Sequence, residues 1–219
     1  TLVGDVAQST TPAGQERWST VFEHLSVRER PAGTIADLTI GYRVPEPILV
    51  VANRLLAHTG VDATESRSVR RTGEPPTWHP VVPRARASGN HDLAATIAEV
   101  AAATKRRRRV SGIVAPARLH DVIALALVER GLAAVDHVHE LDPDEVPLFE
   151  PERVKGLEFD GVIVVNPHEI LSEGTATEIT PRGARLLYVA MTRAVQELHF
   201  VTDDVPPPVL GQRRPTPIE

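Results

Sequence analysis

Apolar residues along the chain follow two periods, a spacing near 3.6 that predicts amphipathic helices and short dense runs that predict buried strands. Residues 161–166, GVIVVN, are almost entirely β-branched, as a strand covered on both faces should be. Leu186, Leu187, Val189 and Ala190 give a helix apolar enough to pack into a sheet, with Thr180 as its N-cap and Pro181 at its first position. Arg193 stands near the end of that helix, before a predicted strand over 196–201. Upstream, Trp18, Val21, Phe22 and Leu25 mark a helix over 16–25. Ile48, Val51, Ala52, Leu55 and Leu56 mark another, opened by Pro45, Glu46 and Pro47. Further helices are predicted over 92–104, with Leu93, Ile97 and Val100 on one side, and over 117–130, closed by Gly131. Strands are predicted at 1–5, 36–40, 110–115, 135–140 and 145–149, and an edge strand at 77–82, where prolines flank the run. Residues 62–76 read as a loop or excursion, and the tail from 205 as an extended linker or terminus. Strands alternating with helices of ~10–15 residues predict an α/β fold, a mostly parallel sheet flanked by helices.

Composition narrows this picture. The hydrophobic share of 42% and charged share of 24% are ordinary for a globular protein of 219 residues. A formal charge of −5 gives no global pull toward nucleic acid, so any such contact must be local. Cysteine is absent, which excludes disulfides and Cys-ligated zinc. The nine histidines are scattered, and His137 and His139 have no matching partners, so no metal site is expected. No apolar run approaches the ~18–20 residues of a membrane span, so no membrane partner and a cytoplasmic location are expected. The chain opens without Met, inside a predicted strand, and reads as a piece of a longer one. Five consecutive cations, Lys105 and Arg106, Arg107, Arg108 and Arg109, are an electrostatic signal for nucleic acid. No aromatic residue interrupts them, which favours a solvated cap on the preceding helix.

The chemistry begins with what is missing. No G-x-x-x-x-G-K-[ST] loop occurs, and no acidic pair follows an apolar strand in a suitable place, so this chain alone is not a complete NTPase. What is present suits the other wall of such a site. Asp5 and Gln8 follow a predicted buried strand, where a glutamine can orient a water or bond a γ-phosphate. Arg43 stands at a strand–loop junction beside Tyr42, whose ring could stack on a base. Arg193 is a second cation from a different element, and two arginines converging on a phosphoryl group form the arginine-finger arrangement. Glu158 follows Gly156, and its carboxylate could accept from ribose hydroxyls. Taken singly, each has an ordinary explanation. Arg193 complements a helix dipole, Arg43 and Glu158 form surface ion pairs, and Tyr42 packs.

Together, GDVAQ, GYR, VKGLEFDGVIVV and LLYVAMTRA resemble, in order and wording, motifs III, IV, V and VI of the UvrD/Rep/PcrA group of superfamily-one helicases. The resemblance runs from Leu2 to about Phe200. It implies a RecA-like (P-loop NTPase-type) fold. Residues 1–35 would end a first RecA-like domain, 36–204 would form the second, and 205–219 a proline-rich tail. It implies that Gln8 senses the γ-phosphate, that Arg43 and Arg193 are arginine fingers, and that Tyr42 stacks on adenine. Glu158 beside Gly156 would hold the ribose, with Asp5 also at the nucleotide. The ligand implied is Mg-ATP, its magnesium held by an N-terminal RecA-like domain that is also the chain's partner.

Two stretches depart from that group. Its DNA-translocating members continue motif III with aromatic and arginine residues that stack on single-stranded bases, worth about 1–3 kcal/mol per base. Here the positions read Ser9, Thr10, Thr11, Pro12, Ala13 and Gly14. Motif V there opens with a strand-facing Thr-x-His, and here with Glu150, Pro151 and Glu152, whose carboxylates repel a phosphate backbone. VGDVAQST and LTIGYRVPEPI are similar to the HelD/HelR branch, whose members bind RNA polymerase and use nucleotide to remodel or release stalled complexes. The expected function is a C-terminal motor domain acting on RNA polymerase. The alternatives are a true DNA helicase or translocase domain and a non-catalytic nucleotide- or polymerase-binding module.

Overall fold

A computed structural model describes residues 4–10, 18–25, 38–61, 63–81, 89–174 and 178–211. The predicted strand at 1–3, the positions 11–14 after motif III and the end of the tail at 212–219 lie outside the described residues, as do the side chains of Phe22 and Leu25.

Six strands form one sheet in which every pairing is parallel. In chain order they are β3 (Thr77–Pro80), β4 (Ser111–Val114), β5 (Ala133–Val135), β6 (Glu145–Phe149), β7 (Phe159–Val165) and β8 (Ala194–Thr202), arranged β3-β8-β7-β4-β6-β5. The short strands β1 (Ile40–Gly41) and β2 (Arg67–Ser68) pair in parallel beside it. The helices are α1 (Trp18–Leu25), α2 (Glu46–Asn53), α3 (Gly89–Arg107), α4 (His120–Val128), α5 (Pro167–Ser172) and α6 (Pro181–Met191).

The central strand shows why its sequence carries no polar alternation. Val162 and Val164 of β7 join one core with α2 and α6, while Ile163 and Val165 join a second with α3 and α4. Period-two geometry sends alternate side chains to opposite faces, and helices cover both faces. Close approach fixes two glycines. A Cβ on Gly112 would lie 2.7 Å from the Phe159 ring, and one on Gly183 would lie 2.2 Å from the Leu171 carbonyl oxygen. The first turn of α6 thus presses directly on α5.

Several boundaries differ from the predicted ones. The helix predicted over 92–104 runs Gly89–Arg107, so Lys105, Arg106 and Arg107 form its last turn. The run 117–130 divides into a 3-10 turn, Ala117–Leu119, after Pro116, and then α4. The strand expected at 135–140 is instead β5, ending at Val135. Glu140 takes φ +56°, incompatible with extended backbone, and Val138 packs against the core from a loop. The excursion 62–76 contributes β2. The edge position of β3 agrees with its flanking prolines. Helix α5 had no periodic signal, being six residues long. Its local mark is Asn166 in the left-handed region followed by Pro167 at the first helical position. Residues Pro208–Leu210 fold back as a 3-10 turn, with Leu210 buried and its carbonyl accepting from Arg54 at 2.8 Å.

Candidate nucleotide-binding site

Helix α6 ends in side-chain bonds. Thr180 Oγ1 accepts from the Gly183 amide at 2.9 Å at one end, and Thr192 Oγ1 donates to Tyr188 and Val189 carbonyls at the other. Arg193 follows at once and is only 5% exposed. Its Nε donates to the Val189 carbonyl at 3.2 Å, one Nη to Leu157 at 3.3 Å, and the other points to Gln8 Oε1 at 3.5 Å. The helix-terminus reading of Arg193 therefore holds for Nε, while one Nη goes to Leu157 and the other faces Gln8. Burial and the like charge of Arg43 lower the proton affinity of Arg193, and Glu158, Tyr188 and Asp5 oppose that. Burial, then the Asp5 charge, pushes the Tyr188 hydroxyl up to about 12, against the pull of Arg193.

Gln8 closes a 3-10 turn, Val6–Gln8, capped by Asp5. One Asp5 oxygen accepts from the Ala7 amide at 2.9 Å and the other from Gln8 Nε2 at 2.8 Å. Asp5 thus turns the Gln8 carboxamide so that its oxygen meets Arg193. Both Asp5 oxygens are engaged within the turn. Lys155 donates to the Gln8 carbonyl at 2.8 Å.

The other half of the edge comes from the bend after β1 and the segment before β7. Arg43 and Glu158 form an ion pair at 2.8 Å, with side chains 49% and 48% exposed. The sequence left each as a surface ion-pair former or a ligand, and the structure pairs them with one another. The backbone under Arg43 is fixed by Arg70, which donates to the Arg43 and Val195 carbonyls and so ties the bend after β1 to β8. Ser68 donates to the Val44 carbonyl at 2.6 Å beside it. Gly156 takes φ +86°, with nothing within 4 Å of where a Cβ would stand. Tyr42, next to Arg43 in sequence, is 74% exposed and makes none of these contacts.

Hydrogen bonds link Asp5, Gln8 and Arg193, and the Arg43–Glu158 pair is close enough to act on the Arg193 charge, so the five form one edge. Around that edge stand three cations, a carboxamide and two carboxylates; the guanidinium forks can take phosphates and Glu158 a ribose hydroxyl, since Asp5 is held by Ala7 and Gln8. An exposed ion pair is worth only about 0–1 kcal/mol, so Arg43 and Glu158 exchange partners at little cost. Lys155 and Arg70 were unassigned in the sequence. Lys155 stood inside the quoted VKGLEF stretch, whereas Arg70 lay in the excursion and carried no signal.

A cavity of about 810 Å³ opens at the carboxyl ends of β4, β6 and β7, lined by Arg118, Glu150, Glu152, Glu169, Glu173 and Arg182 among others. Its two arginines are already paired, Arg118 with Glu169, and Arg182 with Glu152 and Glu173. The five cations at 105–109 are partly anchored: Arg107 and Arg108 reach Glu197 at 3.3 and 3.4 Å, and Lys105 caps the Glu145 carbonyl. Arg106 and Arg109 are exposed.

Residues 151–201 match the UvrD-like helicase C-terminal domain. That stretch holds Lys155, Gly156, Glu158, Arg182 and Arg193. A solved structure of the C-terminal domain of a possible DNA helicase from Lactobacillus plantarum WCFS1 is 24% identical, with a TM-score of 0.53. The likeness covers 78% of this chain and 92% of that one, and it establishes the shared fold. No curated protein matches. Among the described residues no helix is long and apolar enough to cross a membrane.

Proposed function

We propose that this chain is the arginine-bearing half of an ATP-driven, UvrD-like motor. Its nucleotide site is completed by a RecA-like domain that carries the phosphate loop and the magnesium-binding acids. The observation that supports this most is the connected edge from Gln8 through Arg193 to the Arg43–Glu158 pair. ATP supplies the γ-phosphoryl group that is transferred to water. Gln8, its oxygen aimed by Asp5, orients that water or bonds the phosphate. Arg193 and Arg43 meet charge that builds on the phosphate oxygens, Glu158 accepts from the ribose, and Tyr42 covers the base.

The client we favour is RNA polymerase, as in the HelD type, rather than a DNA strand. Glutamates 150, 152, 169 and 173 around the cavity at the strand ends support this, because they disfavour a phosphate backbone. The DNA-translocase reading draws on the matched family's name and on the helicase description of the Lactobacillus domain. The test is ATP turnover by the protein that joins this chain to its phosphate-loop domain. Turnover raised by RNA polymerase and indifferent to single-stranded DNA supports the first reading. Strong stimulation by single-stranded DNA, with measurable unwinding, supports the second.

A further inference from the structure

The Gln8 turn is hooked at two points along α6. Arg193, just past one end of the helix, meets the Gln8 side chain. Arg182, in the first turn at the other end, donates through Nε to the Thr10 carbonyl at 3.3 Å. A helix of eleven residues is about 16 Å long, within the combined reach of two arginines pointing toward one segment. α6 is packed closely on α5 at this end, since a Cβ on Gly183 would lie 2.2 Å from the Leu171 carbonyl oxygen.

The rest of the Arg182 fork points the other way. One Nη reaches Glu152 at 3.1 Å, and the other reaches Glu173. Glu173 is fixed by the Thr180 hydroxyl at 2.5 Å, the same hydroxyl that caps α6. Both glutamates line the 810 Å³ cavity. A guanidinium presents donors in a fixed plane, so losing a partner on one side re-aims the fork on the other.

We infer that Arg182 is a positioning residue that couples the Gln8 turn to the Glu152–Glu173 wall of the cavity, so that a change at either is felt at the other. What the turn senses rests on the nucleotide reading above; the coupling itself does not. A displacement of residues 8–10 withdraws the Thr10 carbonyl from Arg182 and frees the fork to shift between the two carboxylates. A client that engages Glu152 acts in reverse and loosens the turn.

The coupling is read without nucleotide, by amide hydrogen exchange on this chain. The probe is the Ser9 amide, which donates to the Val6 carbonyl at 3.0 Å inside the turn. Arg182→Ala speeds its exchange about tenfold, with β7 and β8 amides unchanged. Glu152→Gln speeds it about threefold, although Glu152 has no bond to residues 4–10. In the Arg182→Ala background Glu152→Gln adds nothing, and Arg182→Lys, which keeps a charge but not the fork, lies between Ala and the native residue. Equal effects of Glu152→Gln in both backgrounds, or no change at Ser9 in Arg182→Ala, overturns the inference. So does faster exchange throughout the sheet, the mark of a merely structural arginine. Failure of the nucleotide reading appears elsewhere, as normal turnover in Arg43→Ala and Arg193→Ala.

Discussion

Replacing Arg193 separates the chemistry of the edge from its architecture. The guanidinium donates to two backbone carbonyls, Val189 and Leu157, and points to the Gln8 oxygen, from a position 5% exposed. Arg193→Ala strands the Leu157 carbonyl, whereas the Val189 carbonyl keeps the Thr192 hydroxyl, so a stability loss of about 1–3 kcal/mol is expected. The same substitution removes an arginine finger, for which turnover falls by about 10³-fold or more. Each tenfold is about 1.4 kcal/mol, so that loss is at least about 4 kcal/mol of transition-state stabilisation. Arg193→Lys keeps the charge but not the fork. It should retain most of the stability, yet lose at least about 10²-fold in turnover, because a point charge does not reproduce bidentate contact. The assay pairs denaturant unfolding of this chain with single-turnover ATP hydrolysis by the protein that includes the phosphate-loop domain. Lysine and native proteins turning over within twofold of each other would refute the role assigned to Arg193, whatever the alanine variant does to stability.

Other expectations follow from single contacts. Gly183→Ala forces a Cβ to 2.2 Å from the Leu171 carbonyl oxygen, and should destabilise the chain by about 3 kcal/mol in urea unfolding; a change under 1 kcal/mol would show that α5 and α6 yield easily. Burial, then His199 and Arg107, lowers His79 from 6.5 to about 4, so its contribution is full above pH 6.5 and is lost as pH falls through 4. Burial raises the Glu197 carboxyl, but the His199 ring 3.6 Å away and the charges of Arg107 and Arg108 outweigh it and bring it to about 2, so its contribution declines below pH 4.5. Stability measured from pH 7 down to 3 should therefore fall in two overlapping stages, with the upper one absent in His79→Phe; a flat profile from 7 to 4.5 contradicts the burial of His79. Calorimetry on this chain alone should show weak ATP binding at best, since the phosphate loop is not in it, and nanomolar affinity would contradict a shared site.

The sequence carried the architecture well where packing sets it. The β-branched run of β7 and the capped, apolar α6 were legible because a strand covered on both faces and a helix packed into a sheet leave composition little freedom. The motifs singled out residues that meet in pairs, Gln8 facing Arg193 and Arg43 bound to Glu158. The supporting bonds were not. Arg70 and Arg182 act on backbone carbonyls distant in sequence, and such contacts leave no periodic trace. The strand expected at 135–140 failed because alternation alone does not supply a neighbour to pair with, and the chain turns at Glu140. The cation run at 105–109 does end α3, and beyond that Arg107 and Arg108 are drawn onto the poorly exposed Glu197 of β8, a contact the run itself does not signal.

The most direct test is a crystal structure of the joined protein with a non-hydrolysable ATP analogue. The account predicts that the Arg43–Glu158 pair opens, with Arg43 and Arg193 donating to phosphate oxygens and Glu158 accepting from the ribose. An analogue bound with that pair still closed and both arginines turned from the phosphates contradicts it.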